Sequence, residues 1–226
     1  MDGIVSFVAA ELSARADPDR AVAMAAYMKT EMPFHGVPTP ERRLILREAR
    51  RRFPIHAQEH YRTAIIALWE LPHREEKYLA VDLAIAERRW ITFENLDLYR
   101  RLIVEGAWWD FVDVISARLI GQVLLDDPER LWPLLDAWID DQDLWIRRAA
   151  LLAQLKHKYR TDTGRLFDYC LRRADEKEFF IRKAIGWALR EYAKTDPAAV
   201  SRFLLEHREE LSGLSFREAA KHLSLG

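Results

Sequence analysis

The amino-acid sequence predicts an all-α fold. Apolar residues recur at spacings of three and four along almost the whole chain, and no segment shows a run of alternating β-branched residues. Only eight glycines and nine prolines interrupt the 226 residues. Because half of the residues are hydrophobic, the chain can bury a large core, and we expect a single domain over residues 1–226.

Prolines and capping residues mark the expected helix starts. Four prolines each follow a side chain that can cap a helix, and proline needs no amide partner in the first helical turn. These pairs are Asp17–Pro18, Thr39–Pro40, Asp127–Pro128 and Asp196–Pro197. Ser215 and Glu218 have the spacing of a capping box, which predicts the start of the last helix.

A repeat of 35 residues organises these helices. One column at this step is mostly basic: Arg42, Lys77, Val112, Arg147, Arg182 and Arg217. The columns two and three positions later hold small and aliphatic residues, as helix pairs need where they stack on their neighbours. The period therefore predicts a helical solenoid.

The period lies near the tetratricopeptide length of about 34, but the residue pattern of that repeat is absent. We therefore expect about six shortened HEAT-like helix pairs in a right-handed superhelical, C-shaped solenoid with a basic concave face. Residues 1–36 are the least regular and are expected to form an N-terminal cap.

The stretch GAWWDFVD, residues 106–113, combines two tryptophans with two carboxylates. Asp113 belongs to a charged column at the 35-residue step, which continues with Arg148, Lys183 and Glu218. Trp109 lies four residues before Asp113 and Trp187 four after Lys183, so both share that helical face. The register thus predicts that Trp109, Asp113, Arg148 and Trp187 converge on one surface.

The other members of this stretch have simpler expected roles. Tryptophans at helical spacing usually pack in a core, and we assign Trp108 and Phe111 to packing. Asp110 fits an exposed acid in the first helical turn. A carboxylate of Asp113 buried in a salt bridge away from Trp109 and Trp187 would contradict a site there.

Composition excludes several classes of protein. Cys170 is the only cysteine, so an internal disulfide and a thiolate metal site are excluded. Apolar runs are too short to span a bilayer and no leader is evident, so a cytoplasmic location is expected. Residues 56–60 spell HxxEH, an inverted zinc-protease signature, but short motifs match often by chance and we expect no metal site.

The formal net charge is only −1, yet basic residues are clustered, so a neutral chain can still carry a basic surface. Long motifs resemble the AlkD-type alkylpurine DNA glycosylases, which are built from HEAT-like repeats. The resemblance covers nearly the whole chain, in the order and spacing of that family. The motifs are MAAYMK, TPERR, LWELPHRE, WWDFVD, LWIRRAALLAQLK, KEFFIRKAIGWALREYAKT and REAAKH.

The resemblance implies roles for individual residues. Asp113 would be the catalytic carboxylate, and Arg148 would hold the DNA backbone. Trp109 and Trp187 would flank the damaged nucleotide, which Tyr27 would also approach. The rest of the predicted DNA-binding set is Thr39, Arg43, Phe179, Phe180, Lys183 and Arg190.

One position departs from the family. The residue before TPERR is often a glutamine that can probe the duplex, and here it is Pro38. The resemblance therefore does not imply the same contact with DNA at this point, while the chemistry is not affected.

The expected function is that of a monofunctional glycosylase, which removes cationic alkylated purines such as 3-methyladenine or 7-methylguanine, or bulky N3 and N7 adducts, from duplex DNA. It is expected to act as a monomer, without a cofactor and without a deep base-flipping pocket. Two alternatives stay open: a non-catalytic binder of branched or distorted DNA, and a helical-repeat scaffold for protein partners.

Overall fold

A computed structural model describes residues 2–224, and this part of the chain is helical without strands. The α-helices are α1 (Asp2–Ala14), α2 (Pro18–Met28), α3 (Thr39–Arg52), α4 (Gln58–Trp69), α5 (Arg74–Ala86), α6 (Leu96–Gly106), α7 (Trp109–Ile115), α8 (Gly121–Asp126), α9 (Pro128–Trp138), α10 (Leu144–Leu152), α11 (Thr163–Arg172), α12 (Phe179–Ala193), α13 (Pro197–Glu206) and α14 (Gly213–Ala220). Over residues 2–224, no helix has both the length and the apolarity of a membrane span.

The chain divides into two compact units, residues 1–91 and 92–226. In the first unit, α1, α3, α4 and α5 pack around a common core. Side chains such as Ile45, Tyr61, Ile65 and Leu79 have almost no solvent exposure there. The burial of these apolar side chains is the main source of stability for such helices, because isolated helices of this length are only marginally stable in water.

In the second unit, consecutive repeats stack on one another. Helix α10 packs between α7 and α12, and α12 packs in turn on α14. These four helices carry, in order, Asp113, Arg148, Lys183 and Glu218. The 35-residue column thus runs across neighbouring helices, and the predicted all-α fold of stacked helix pairs is confirmed.

Helix α7 continues without a break through a π-helical turn, Ser116–Ile120, into α8. Ser116 is fully buried and donates a hydrogen bond from Oγ to the carbonyl of Val112 at 2.5 Å. Turns of this kind disturb the regular backbone ladder and occur often beside functional sites. Here it follows directly on the helix that carries Asp113.

Three of the predicted caps are confirmed. The side chains of Asp17, Asp127 and Asp196 each accept a hydrogen bond from a backbone amide in the first turn of the helix that follows. The assignment of Thr39 is wrong, because Pro38 is the cap residue and the Thr39 hydroxyl instead accepts from the Arg42 guanidinium at 3.0 Å.

The predicted capping box is wrong as well. The last helix begins at Gly213, and Ser212 caps it by accepting from the amide of Ser215 at 3.0 Å. Glu218 is engaged elsewhere, in ion pairs with Lys183 and Arg190. Ser212, three residues before Ser215, is thus the N-cap residue of the last helix.

Four side chains of the mostly basic column bind to the main chain. They donate to main-chain carbonyls five or six residues earlier, where the preceding helix or turn ends and carbonyls lack helical partners. The bonds are Arg42 Nη1 to Val37 O at 3.4 Å, Lys77 Nζ to Leu71 O at 2.6 Å, Arg147 Nη1 to Asp141 O at 2.7 Å and Arg182 Nε to Glu176 O at 2.8 Å. These four side chains therefore link the start of one helix to the segment that precedes it.

Candidate active site

Asp113 lines a pocket in the second unit. It is on the second turn of α7, and its neighbours Phe111 and Val112 are fully buried and fix the helix in place. The Asp113 carboxylate accepts two parallel hydrogen bonds from Arg148, at 2.7 Å from Nε to Oδ1 and 2.9 Å from Nη2 to Oδ2. This is the bidentate geometry that makes arginine–carboxylate pairs strong and directional.

Arg148 is held on a second side. Its Nη1 group donates to the carbonyl of Phe180, in the first turn of α12, and only 4% of the residue is exposed. The guanidinium thus links α7, α10 and α12 and fixes the direction in which the Asp113 carboxylate points. Three of its N–H groups have partners within the protein.

Burial raises the pKa of Asp113 above that of an ordinary aspartate, because the charged form loses water. The hydrogen bonds and positive charge of Arg148 act in the opposite direction, and the nearby Asp110 adds a smaller upward contribution. A carboxylate with a perturbed pKa in a pocket is a typical feature of a functional site.

Aromatic side chains form the walls of the pocket, whose volume is about 340 Å³. Trp109 on α7 and Trp187 on α12 are half-buried, and Phe179 is 57% exposed. The lining residues are Trp109, Asp113, Arg148, Phe179, Phe180, Lys183, Trp187, Arg190 and Glu218. The four residues that the register predicted to converge do line one pocket, so the salt bridge of Asp113 lies beside both tryptophans.

A second set of aromatic rings lies behind the pocket. Trp108 contacts Phe180 with ring centroids 5.4 Å apart and Trp145 at 6.1 Å, and Trp145 contacts Phe180 at 5.0 Å. Together with the buried Phe111, Trp108 therefore packs, as the sequence predicts. This cluster holds the Phe180 carbonyl where Arg148 can reach it.

A second acidic residue of the pocket is Glu218, which the sequence predicts as part of a capping box and not as a member of the site. Its carboxylate pairs with Lys183 at 2.9 Å and with Arg190 at 2.5 Å, and these interactions hold its pKa below the usual range. Gly186 permits this approach of α12 to α14, because a Cβ there would lie 2.4 Å from the Cβ of Glu218. The 35-residue step from Lys183 to Glu218 was the signal in the sequence.

Three predicted DNA-binding residues lie in the first unit. Tyr27 is 77% exposed and lines, with Thr39 and Pro38, a pocket of about 500 Å³. Arg43 is also exposed but lines a different depression with Arg47. Tyr27 and Thr39 thus line the same pocket, whereas Arg43 lines a different one.

Potential metal ligands occur at two places in residues 2–224. His56 precedes α4, which begins at Gln58, so the two histidines of HxxEH do not share a helix. A group of three close ligand atoms is instead formed by His35, His73 and Glu76 in the first unit.

Comparison with known proteins identifies the family to which the chain belongs. A model of a DNA alkylation repair enzyme family matches residues 8–223. The chain is similar to the structure of a predicted DNA alkylation repair enzyme from Enterococcus faecalis, with 31% identity and a TM-score of 0.85, over 93% of this chain and 98% of that one. A comparison with curated protein sequences found no match.

Two structures from Streptococcus mutans share the fold at lower identity. AlkD2 is 15% identical with a TM-score of 0.63, over 90% of this chain and 99% of that one. The protein smu.31 is 17% identical with a TM-score of 0.61, over 79% and 91%. Because the family match spans nearly the whole sequence, this chain belongs to the DNA alkylation repair enzyme family.

Proposed function

We propose that this chain hydrolyses the N-glycosidic bond of purines alkylated at N3 or N7 in duplex DNA. The observation that carries the proposal is the Asp113 carboxylate, fixed by Arg148 in a pocket whose walls include the half-buried Trp109 and Trp187. A scaffold for protein partners has no need for a buried carboxylate beside two accessible aromatic faces.

Hydrolysis of this N-glycosidic bond requires few catalytic groups from the protein. A purine alkylated at N3 or N7 is cationic, so its bond to the sugar is already weak and the base leaves without a general acid. The protein must stabilise the sugar as it acquires oxocarbenium character and direct a water molecule to C1′. One oriented carboxylate can do both, by electrostatic stabilisation and partial base action, and Asp113 has that charge and orientation.

Trp109 and Trp187 supply the affinity for a cationic lesion. An aromatic face attracts a cation by about 0.5 to 2 kcal/mol, and the gain rises as water is removed. The tryptophans line the same pocket as the carboxylate, so a nucleotide between them would place its C1′ near Asp113.

The family resemblance implies that Arg148 holds the DNA backbone. Its N–H groups are instead directed to Asp113 and to the Phe180 carbonyl. We therefore assign Arg148 to positioning Asp113, and Lys183 and Arg190 to the phosphates, which they can bind if they exchange Glu218 for DNA.

The pocket also bears on the type of glycosylase. Lys183 lines it, but its ammonium group is paired with Glu218 at 2.9 Å and is a poor nucleophile in that state. The proposed enzyme is therefore monofunctional: it leaves an abasic site and makes no strand break. The pocket is built from side chains on stacked helices, so the lesion would be excised while it lies in or near the duplex. The proposed enzyme acts as a monomer in the nucleoid.

The direct test uses DNA treated with N-methylnitrosourea. Wild-type protein should release 3-methyladenine and 7-methylguanine, and Asp113→Asn, which keeps the shape but not the charge, should lose at least about 100-fold in rate. Equal release by both proteins would contradict the role of Asp113.

A non-catalytic binder of distorted DNA stays as the second candidate, because the charge of Asp113 is already neutralised by Arg148. Absence of release by folded wild-type protein, together with retained binding to branched DNA, would favour that candidate. A strand break in the products would argue against a monofunctional mechanism.

A further inference from the structure

A second cluster of reactive side chains lies in the first unit. His35 is in the segment between α2 and α3, His73 is the N-cap residue of α5, and Glu76 lies in the first turn of α5. The imidazole rings of His35 and His73 are stacked with centroids 3.8 Å apart and an interplanar angle of 24°. Both rings point a nitrogen at one oxygen, Glu76 Oε1: His35 Nε2 lies 3.1 Å and His73 Nδ1 3.6 Å from it.

The backbone holds this cluster in place. The Glu75 carboxylate is fully buried and accepts hydrogen bonds from the amides of His35 at 3.0 Å, Gly36 at 2.8 Å and Val37 at 3.0 Å. Gly36 has φ of +86°, and a Cβ there would lie 2.1 Å from the carbonyl oxygen of Asp17. The His35 segment is therefore fixed against α5 by interactions that do not involve the imidazole.

One ring nitrogen of the cluster makes no well-aligned hydrogen bond. The Nδ1 atom of His73 is buried, and within residues 2–224 only the backbone amide of Glu76 faces the His73 side chain, in a capping-box arrangement, without forming a regular hydrogen bond to Nδ1. Leaving a buried polar atom unpaired is costly, so such an atom in a native structure calls for an explanation such as an ion. The nearest oxygen, Glu76 Oε1, is already shared with His35.

We propose that His35 Nε2, His73 Nδ1 and Glu76 Oε1 bind a zinc ion. Ligands at about 2.1 Å from a tetrahedral zinc ion lie about 3.4 Å from one another, and the distances of 3.1 and 3.6 Å are close to this value. All three ligand atoms lie within 4.8 Å of one another. Imidazole and carboxylate ligands are the set that zinc accepts, and the fourth position is left for water.

The surroundings of the cluster suit a cation. The N-terminus of α5 carries a partial positive charge, but the carboxylates of Glu75 and Glu76 offset it. Glu76 Oε2 accepts from the backbone amide of His73 at 2.8 Å, and this bond orients the ligating oxygen. The ion would fasten the segment that leads into Thr39, and the proposal does not depend on the glycosylase activity.

The test is a zinc titration of the full chain after removal of metals with a chelator. Isothermal titration calorimetry should show one zinc ion per chain, and zinc in excess should raise the Tm by about 5 °C. Cobalt(II) in place of zinc should give the visible absorption of a tetrahedral or five-coordinate ion. Glu76→Gln and His35→Ala should each abolish stoichiometric binding.

A matched control is the pair of exposed histidines in HxxEH. The variant with His56→Ala and His60→Ala removes two imidazoles as well, and it should bind zinc as the wild type does. Circular dichroism of the metal-free variants checks that each is folded. If wild-type protein does not bind zinc one to one, the proposal is overturned, even if every variant misfolds. Zinc binding that persists in the folded variants Glu76→Gln and His35→Ala would also overturn it. So would loss of zinc binding in the His56→Ala, His60→Ala control.

Discussion

At the scale of single residues, the sequence predicts which side chains meet but not which partners they choose. Trp109, Asp113 and Trp187 could be placed in one pocket because residues 35 apart lie on equivalent faces of stacked helices. The partner of Arg148 could not be predicted in this way. Its choice of Asp113 over DNA phosphate depends on a burial that only the packed helices create.

The pH dependence of the proposed reaction follows from the Asp113–Arg148 pair. The reactive form of Asp113 is the carboxylate, so the rate should fall as the pH drops through the pKa of this group. Burial raises that pKa, and Arg148 is the partner that lowers it. Arg148→Gln should therefore raise the pKa further and move the acidic limb of the rate profile to higher pH.

Single-turnover release of 7-methylguanine, measured across pH, checks this shift. Arg190→Gln serves as the control, since it removes a cation of the same pocket that pairs with Glu218 instead, and its acidic limb should stay in place. Arg148→Gln also leaves a buried carboxylate without its partner, at a cost of about 3 kcal/mol, so the assay temperature must lie below its Tm. An acidic limb that does not move would show that Arg148 does not act through Asp113.

The raised pKa has a separate consequence for folding. A carboxyl group with a higher pKa in the folded than in the unfolded state binds more protons when folded. Its contribution to stability is therefore greatest at low pH and declines as the pH rises through the range between the two pKa values. Asp113 thus lowers the stability of the protein at neutral pH, where the proposed chemistry requires its charge.

At the scale of helices, the sequence predicts the elements well because local rules govern them. Aspartate followed by proline marks helix starts at Asp17, Asp127 and Asp196. The rule fails at Thr39, where Pro38 comes first and the nearby Arg42 guanidinium competes for the hydroxyl group. Likewise, the mostly basic column is visible in the sequence. The carbonyl groups to which its side chains donate can be identified only from the structure, because they depend on where the preceding helix or turn ends.

The basic column gives a prediction about stability. Arg147 donates to the carbonyls of Asp141 and Gln142 and pairs with Glu176, all within the second unit. Arg147→Met should leave these carbonyls without a partner and leave the Glu176 carboxylate paired only with Arg173, at 3.9 Å, and so lower the free energy of unfolding by about 1 to 3 kcal/mol. Its effect on DNA affinity should be small.

Urea unfolding and DNA binding of the same samples check both statements. Arg43→Met is the control, because Arg43 is exposed and its loss should leave the free energy of unfolding within about 0.5 kcal/mol of wild type. If Arg147→Met were as stable as wild type but bound DNA weakly, Arg147 would act in DNA binding and not in stabilising the helix ends.

At the scale of the whole molecule, the 35-residue period predicts the stacking of helix pairs, since a repeat that cannot bury its apolar face alone must pack on the next. The division at residue 92 was not predicted, because the period continues across it. The proposed DNA contacts fall on both sides of this boundary: Tyr27, Thr39 and Arg43 in the first unit, and the Asp113 pocket in the second.

If both units bind one duplex, the salt dependence of binding should report a contribution from each. Each lysine or arginine that neutralises a phosphate adds about 0.9 to the slope of log affinity against log salt concentration. Arg43→Gln and Arg190→Gln should each reduce the slope by about 0.9, and the double variant by about 1.8. Fluorescence anisotropy with an undamaged duplex measures this slope without any turnover.

Arg208→Gln is a suitable control, because Arg208 is exposed and is not among the proposed DNA contacts. In the wild type its guanidinium lies over the Phe216 ring, 4.0 Å from the ring centroid. The variant should leave the slope unchanged. A reduced slope for Arg190→Gln alone would confine DNA binding to the second unit and remove Arg43 from the proposed contacts. Additive reductions would show that cations of both units neutralise phosphates of the same duplex.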